Sequence, residues 1–86
     1  MHIQYDQQAP LGVVREFHFD QAISATEYLA YYRGDVQQVM VRALDGSKVQ
    51  FPARLLMPFV TTVGVRGRFV LTCDNDGRGA RLVRRA

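Results

Sequence analysis

The sequence predicts an α+β fold: a curled antiparallel five-stranded sheet or small open barrel, with one helix after the first strand and a short helical turn before the fourth. Three observations predict it. Five segments alternate apolar and polar residues with the two-residue period of half-buried strands. A single S-x-x-E capping box, Ser24 to Glu27, marks the one clear helix start. Tight-turn chemistry at Asp45-Gly46 and at Asp74 to Gly77 leaves room only for antiparallel neighbours. An open α+β sandwich with the same element order is the alternative.

In chain order, residues 1–12 mix Gln, Asp, Ala and Pro without periodicity and read as a flexible N-terminal arm, leaving 13–86 as a single small domain. Val13 to Asp20 is a half-buried strand: Val13, Phe17 and Phe19 point one way with Arg15 interrupting, and Glu16, His18 and Asp20 the other. The helix runs from about Ala25 to Arg33, with Ile23 and Tyr28 as its hydrophobic staple. Its predicted inward stripe is Ala25, Tyr28, Leu29 and Tyr32, and Gly34 supplies a left-handed stop.

Val36 to Leu44 resumes the strand period with Val39, Val41 and Ala43 inward. Asp45-Gly46 predicts a type I′ hairpin, in which both central residues take positive φ. The return strand, Ser47 to Phe51, buries Val49 and Phe51 and stops at Pro52, which has no N–H for a ladder. Ala53 to Met57 is one helical turn, burying Leu55 or Leu56 with Phe59. Val63 to Asp74 is the longest strand, with Val65, Phe69, Leu71 and Cys73 on one face and Arg66, Arg68, Val70 and Thr72 on the other. Gly64 and Gly67 within it point to bends or a close backbone approach. Ala80 to Arg84 closes the series with Leu82 inward.

Composition narrows the function classes. With 86 residues, 48% hydrophobic and 22% charged, the chain reads as one ordinary folded domain that buries about 60 to 65% of its unfolded surface. Its apolar runs are far shorter than the roughly 20 residues of a membrane span, and its start lacks the pattern of a signal peptide, so a cytoplasmic protein is expected. A single cysteine excludes an internal disulfide and a cysteine zinc cluster. His2, His18 and Cys73 are scattered, so no metal site is expected; Asp74 to Gly77 lacks the closing glutamate of a calcium loop and reads as a hairpin loop. Cys73 falls on an apolar face, and His18 with Glu16 and Asp20 reads as strand surface. No cofactor and no catalytic residue is expected, and the protein reads as not an enzyme.

The charge map leaves two classes. Residues 1–45 carry three arginines against six acids, whereas residues 46–86 carry eight basic residues against two acids. One class is a small interaction or adaptor module that binds a protein partner or a second copy of itself, with Tyr31, Tyr32 and Arg33 at the helix end and the nearby Met57 and Phe59 as interface residue types. The alternative is a weak nucleic-acid binder using an arginine row of Arg66, Arg68, Arg81 and Arg84, extended by Lys48. The aromatic half of that signature is thin, because all five phenylalanines alternate inward.

The helix end Tyr31-Tyr32-Arg33-Gly34, followed by Asp45-Gly46, V-Q-F-P-A at 49–53, P-F-V-T at 58–61, G-V-R-G-R-F-V-L at 64–71 and a late Asp, resembles a family of short bacterial proteins known only as a domain of unknown function. The resemblance covers roughly residues 14–84 and rests on turn and core residues. It implies no substrate, cofactor or catalytic residue. Met57 stands before Pro-Phe where a basic residue is expected in relatives.

Overall fold

The computed structural model describes residues 3–5, 15–74 and 77–85. The strands are β1 (Gln4–Tyr5), β2 (Arg15–Ser24), β3 (Gln38–Arg42), β4 (Lys48–Pro52), β5 (Gly64–Cys73) and β6 (Arg81–Arg84). Helix α1 (Ala25–Tyr32) follows β2, and a 3-10 helix (Ala53–Phe59) follows β4. All five expected strands form, but they do not make one curled sheet. They divide into two antiparallel three-stranded sheets, of order β1-β4-β3 and β2-β5-β6. The reason lies at β2 and β3, which α1 separates in the chain. Across that junction the described backbone makes a single hydrogen bond, Leu44 N–H to His18 O at 2.7 Å, and no ladder. The sheet therefore breaks there instead of curling round.

β1 falls inside the expected N-terminal arm. Gln4 and Tyr5 pair with Gln50 and Val49, Ile3 is buried, and the Ile3 N–H donates to Gly77 O at 2.7 Å. A lone Ile-Gln-Tyr has no periodicity to read; burial of Ile3 against the core is what fixes it. The remainder of the expected arm lies outside the described residues.

The two sheets share one core, and alternation predicts its members well. Phe17, Phe19 and Ile23 from β2 and Val65, Phe69, Leu71 and Cys73 from β5 meet Val39, Val41, Val49 and Phe51 from the other sheet. Phe19 is the joint: its ring lies 5.7 Å from Phe51 across the sheets and 5.8 Å from Phe69 beside it. Phe59 of the 3-10 helix meets Phe69 edge-on at 5.2 Å, and Leu56 is fully buried beneath that helix. Arg15, the charged interruption of the inward face, stands over the Phe17 ring at 5.5 Å, so its cation caps the end of the core.

β2 runs four residues past its expected end because Ser24 is an extended N-cap that passes directly into α1. The capping box is complete: Glu27 N–H donates to Ser24 Oγ at 3.1 Å, and Ser24 N–H donates to Glu27 Oε1 at 3.3 Å. Gly64 of β5 packs on this junction with φ of 109°, and a Cβ there would run into the Ile23 carbonyl oxygen. The expected close approach is thus between β5 and the strand-to-helix corner.

Two local expectations are corrected. The 44–46 hairpin is not type I′, since Gly46 alone has positive φ. Gly46 N–H donates to Ala43 O and Ala43 N–H to Ser47 O, giving a three-residue loop in which Asp45 keeps negative φ and accepts the Ser47 N–H at 2.9 Å. On α1 the inward pair is Tyr28 and Tyr31, with rings 6.2 Å apart, while Leu29 and Tyr32 are exposed, Tyr32 by 72%. At 100° per residue that rotates the helix by roughly a quarter turn from the expected stripe. In so short a helix the buried Tyr28, anchored next to the cap, sets the rotation.

Candidate functional site

The arginines come apart. Strand register places Arg66 beside Ala22, Arg68 beside Asp20, and Arg81 beside Thr72 and, one strand further, Glu16, all on the outer face of β2-β5-β6. Arg84 pairs with Phe69, so alternation sends it to the opposite face. Arg66 and the Thr72-Arg81 row are six residues apart along β5, about 20 Å. Arg68 is taken by Asp20 through two hydrogen bonds, Nε at 2.8 Å and Nη2 at 3.0 Å. That fork holds the Asp20 carboxyl below its ordinary range, chiefly by hydrogen bonding. Arg66 lines a hollow of about 230 Å³ whose wall also holds Glu27. Between the arginines lie His18, Val70 and Val83, and no Phe or Tyr ring stands on this face among the described residues. Lys48 is on the other sheet, in register with Arg42, beside the 44–46 loop.

His18 Nε2 lies 3.0 Å from Glu16 Oε1, so the pair on that strand face is real. It sits on a water-exposed sheet surface with no wall to exclude solvent or hold a substrate. Cys73 is buried on the inner face, among the apolar residues that alternation assigns it. Among the described residues no three His, Cys, Asp or Glu side chains gather as a metal-ligand group, and no helix is long and apolar enough to cross a membrane.

The concave site lies elsewhere, where three chain segments meet. Tyr31 from α1, Val36 to Gln38 leading into β3, and Pro52 to Arg54 where β4 becomes the 3-10 helix line a groove of about 420 Å³. Local bonds fix its walls. Val36 N–H turns back to Ala30 O, Gly34 at φ of 83° donates to Tyr31 O, and Ala53 N–H donates to Gln37 O. Its apolar lining is Tyr31, Val36, Pro52 and Ala53; its polar lining is Gln37, Gln38 and the cation Arg54. Among the described residues no acid lines it. Arg33 caps α1 and is exposed, and Tyr32 projects from the same helix end. Of the sequence-predicted surface, then, Tyr31 lines the groove and Arg33 flanks it in the chain, while the arginine row does not assemble. Sequence reasoning missed Val36, Gln38 and Arg54, which carry no motif and meet only in the fold. Tyr32, an interface residue type by sequence that the helical stripe would turn inward, is exposed.

A family model described as a protein of unknown function, DUF2835, matches residues 15–85, and the chain belongs to that family. No curated protein and no solved structure matches the chain.

Proposed function

We propose that this domain is a small protein-interaction module that takes an extended peptide segment of a partner in the groove between α1, β3 and the 3-10 helix. The observation that carries the reading is the groove's chemistry: an apolar lining, two glutamines and, among the described residues, one guanidinium and no acid. Apolar floors with few fixed polar groups are what ligand clefts use for affinity and orientation. The cation selects a segment with an apolar side chain next to a carboxylate, either an acidic residue or a chain terminus. Exposed Tyr32 and Leu29 at the same helix end provide further apolar contact area of the kind enriched in interfaces. Separation of the arginines, and pairing of Arg68 with Asp20, favour this reading over binding to a nucleic-acid backbone.

The experiment is a displayed peptide library screened against the folded protein, with selected peptides remeasured on Arg54→Glu and Val36→Lys. Both substitutions are at exposed positions and leave the core untouched. Enrichment of apolar-acidic peptides whose affinity falls at least tenfold in both variants is expected. No enrichment, or binding indifferent to both, rejects the groove. Single-stranded RNA provides the contrast: at physiological salt it is expected to bind no better than about 10⁻⁴ M, the weak end of non-specific binding, and tight binding lost in an Arg66→Glu/Arg68→Glu double variant would replace this reading with a polyanion one.

A further inference from the structure

The two sheets end in unlike edges, and one of them is complementary to itself. In β3 the odd-numbered residues turn their backbone groups toward β4, as shown by Ala43 N–H to Ser47 O at one end and Ala53 N–H to Gln37 O at the other. Alternation then points the N–H and C=O of Gln38, Met40 and Arg42 away from the sheet. The next group in that series, Leu44 N–H, is taken by His18 O. Between Gln38 and Arg42 no other strand is paired to this side of β3 among the described residues. Met40, at its centre, is 58% exposed.

Proteins commonly blunt such an edge with charge. β6 does so: pairing with a second β6 about a two-fold axis at Val83 would set Arg81 against the partner's Arg85. β3 does not. We infer that this chain self-associates through β3, which pairs antiparallel with β3 of a second copy about an axis at Met40. That register sets Met40 opposite its own counterpart, Gln38 opposite the partner's Arg42, and Val39 opposite the partner's Val41, so no like charges meet. The ladder stops at the length of β3. Beyond Gln38 the chain leaves the strand line, because Val36 N–H turns back to Ala30 O, and this carries it clear of β2 at the Leu44 corner. A contact of five residues a side belongs to the small, transient class of interface, so the dimer is concentration-dependent. The inference goes beyond the groove reading and does not rest on it: Arg54→Glu is expected to leave the dimer unchanged.

Sedimentation velocity of the whole chain from about 10 to 500 μM, a span suited to weak contacts, reads the outcome. Apparent mass is expected to rise toward twice the monomer. Met40→Pro, tolerated on an edge whose N–H faces outward, and Met40→Lys, which sets two cations face to face, are each expected to hold the protein monomeric with an unchanged circular dichroism spectrum. Should the proline variant unfold, the lysine variant carries the comparison alone. Under mild oxidation Met40→Cys is expected to form a disulfide-linked dimer much faster than Met57→Cys, which is equally exposed but lies on the 3-10 helix. A wild-type monomer throughout, a dimer that survives Met40→Lys, or equal crosslinking at the two positions would each overturn the inference.

Discussion

The sheet β2-β5-β6 and the sheet β1-β4-β3 bury their inner faces in the same core yet present opposite outer faces. The first is built on two ten-residue strands in continuous register and is covered by charges that answer one another, Arg68 with Asp20 and His18 with Glu16. The second pairs over five residues, and its outer face is Gln4, Gln38, Gln50 and Met40, with Arg42 and Lys48 only at the hairpin end. Long register and paired charges give a frame. Short register, amides and an open edge give a surface with hydrogen-bonding groups still available. The groove and the self-complementary edge both belong to the second sheet.

The most damaging way to test this division is to remove what the sheets share. Phe19→Ala empties the contact with both Phe51 and Phe69, and is expected to cost about 3–5 kcal/mol in urea unfolding, enough to abolish folding in so small a domain. A loss below about 1 kcal/mol would show that the sheets do not depend on one joint. Gly64→Ala strikes the frame alone, placing a methyl against the Ile23 carbonyl at a backbone conformation unfavourable to alanine. A loss of about 2–3 kcal/mol is expected, with the β2-to-α1 corner yielding first in proteolysis. Ser24→Ala weakens the same corner more gently, by about 1 kcal/mol in thermal or chemical unfolding.

Acid sharpens the contrast at the smallest scale. The Asp20 carboxyl is lowered mainly by its hydrogen bonds from Arg68, and the Asp45 carboxyl mainly by the Ser47 N–H. A carboxyl lowered in the folded state contributes stability above its unfolded value of about 3.9 and loses it as pH falls through the folded value. Melting temperature is therefore expected to fall slightly below pH 4, and Asp20→Asn and Asp45→Asn are each expected to flatten part of that fall. Parallel melting curves for both variants and wild type would retire the assignment.

Much of the frame was legible before any coordinates. Strict alternation at Phe17 and Phe19, Val39 and Val41, Val49 and Phe51, and Phe69 and Leu71 identifies the inward faces, because a two-residue period leaves no choice of side. The capping box at Ser24 is equally local. What was not legible is set by distant partners. Whether β2 continues into β3 or breaks from it depends on where α1 carries the chain, and nothing in either strand records that. Tyr31 and Tyr32 differ by one position, and only the anchored Tyr28 decides which is covered. The groove collects Tyr31, Val36 and Arg54 from segments that no spacing rule connects, so its parts were visible only as ordinary residues.

Among the described residues the two sheets are stitched by single backbone bonds, Leu44 N–H to His18 O and Ile3 N–H to Gly77 O, while each is laddered within itself. Those two amides are consequently reporters of a motion that leaves both ladders whole. In hydrogen exchange they should take up deuterium earlier than the amides inside the β2-β5 ladder, and together, at the rate at which one layer lifts from the other. The molecule is then a two-leaf book whose spine is aromatic packing, and a peptide or second copy that held one leaf is expected to slow the exchange of both amides.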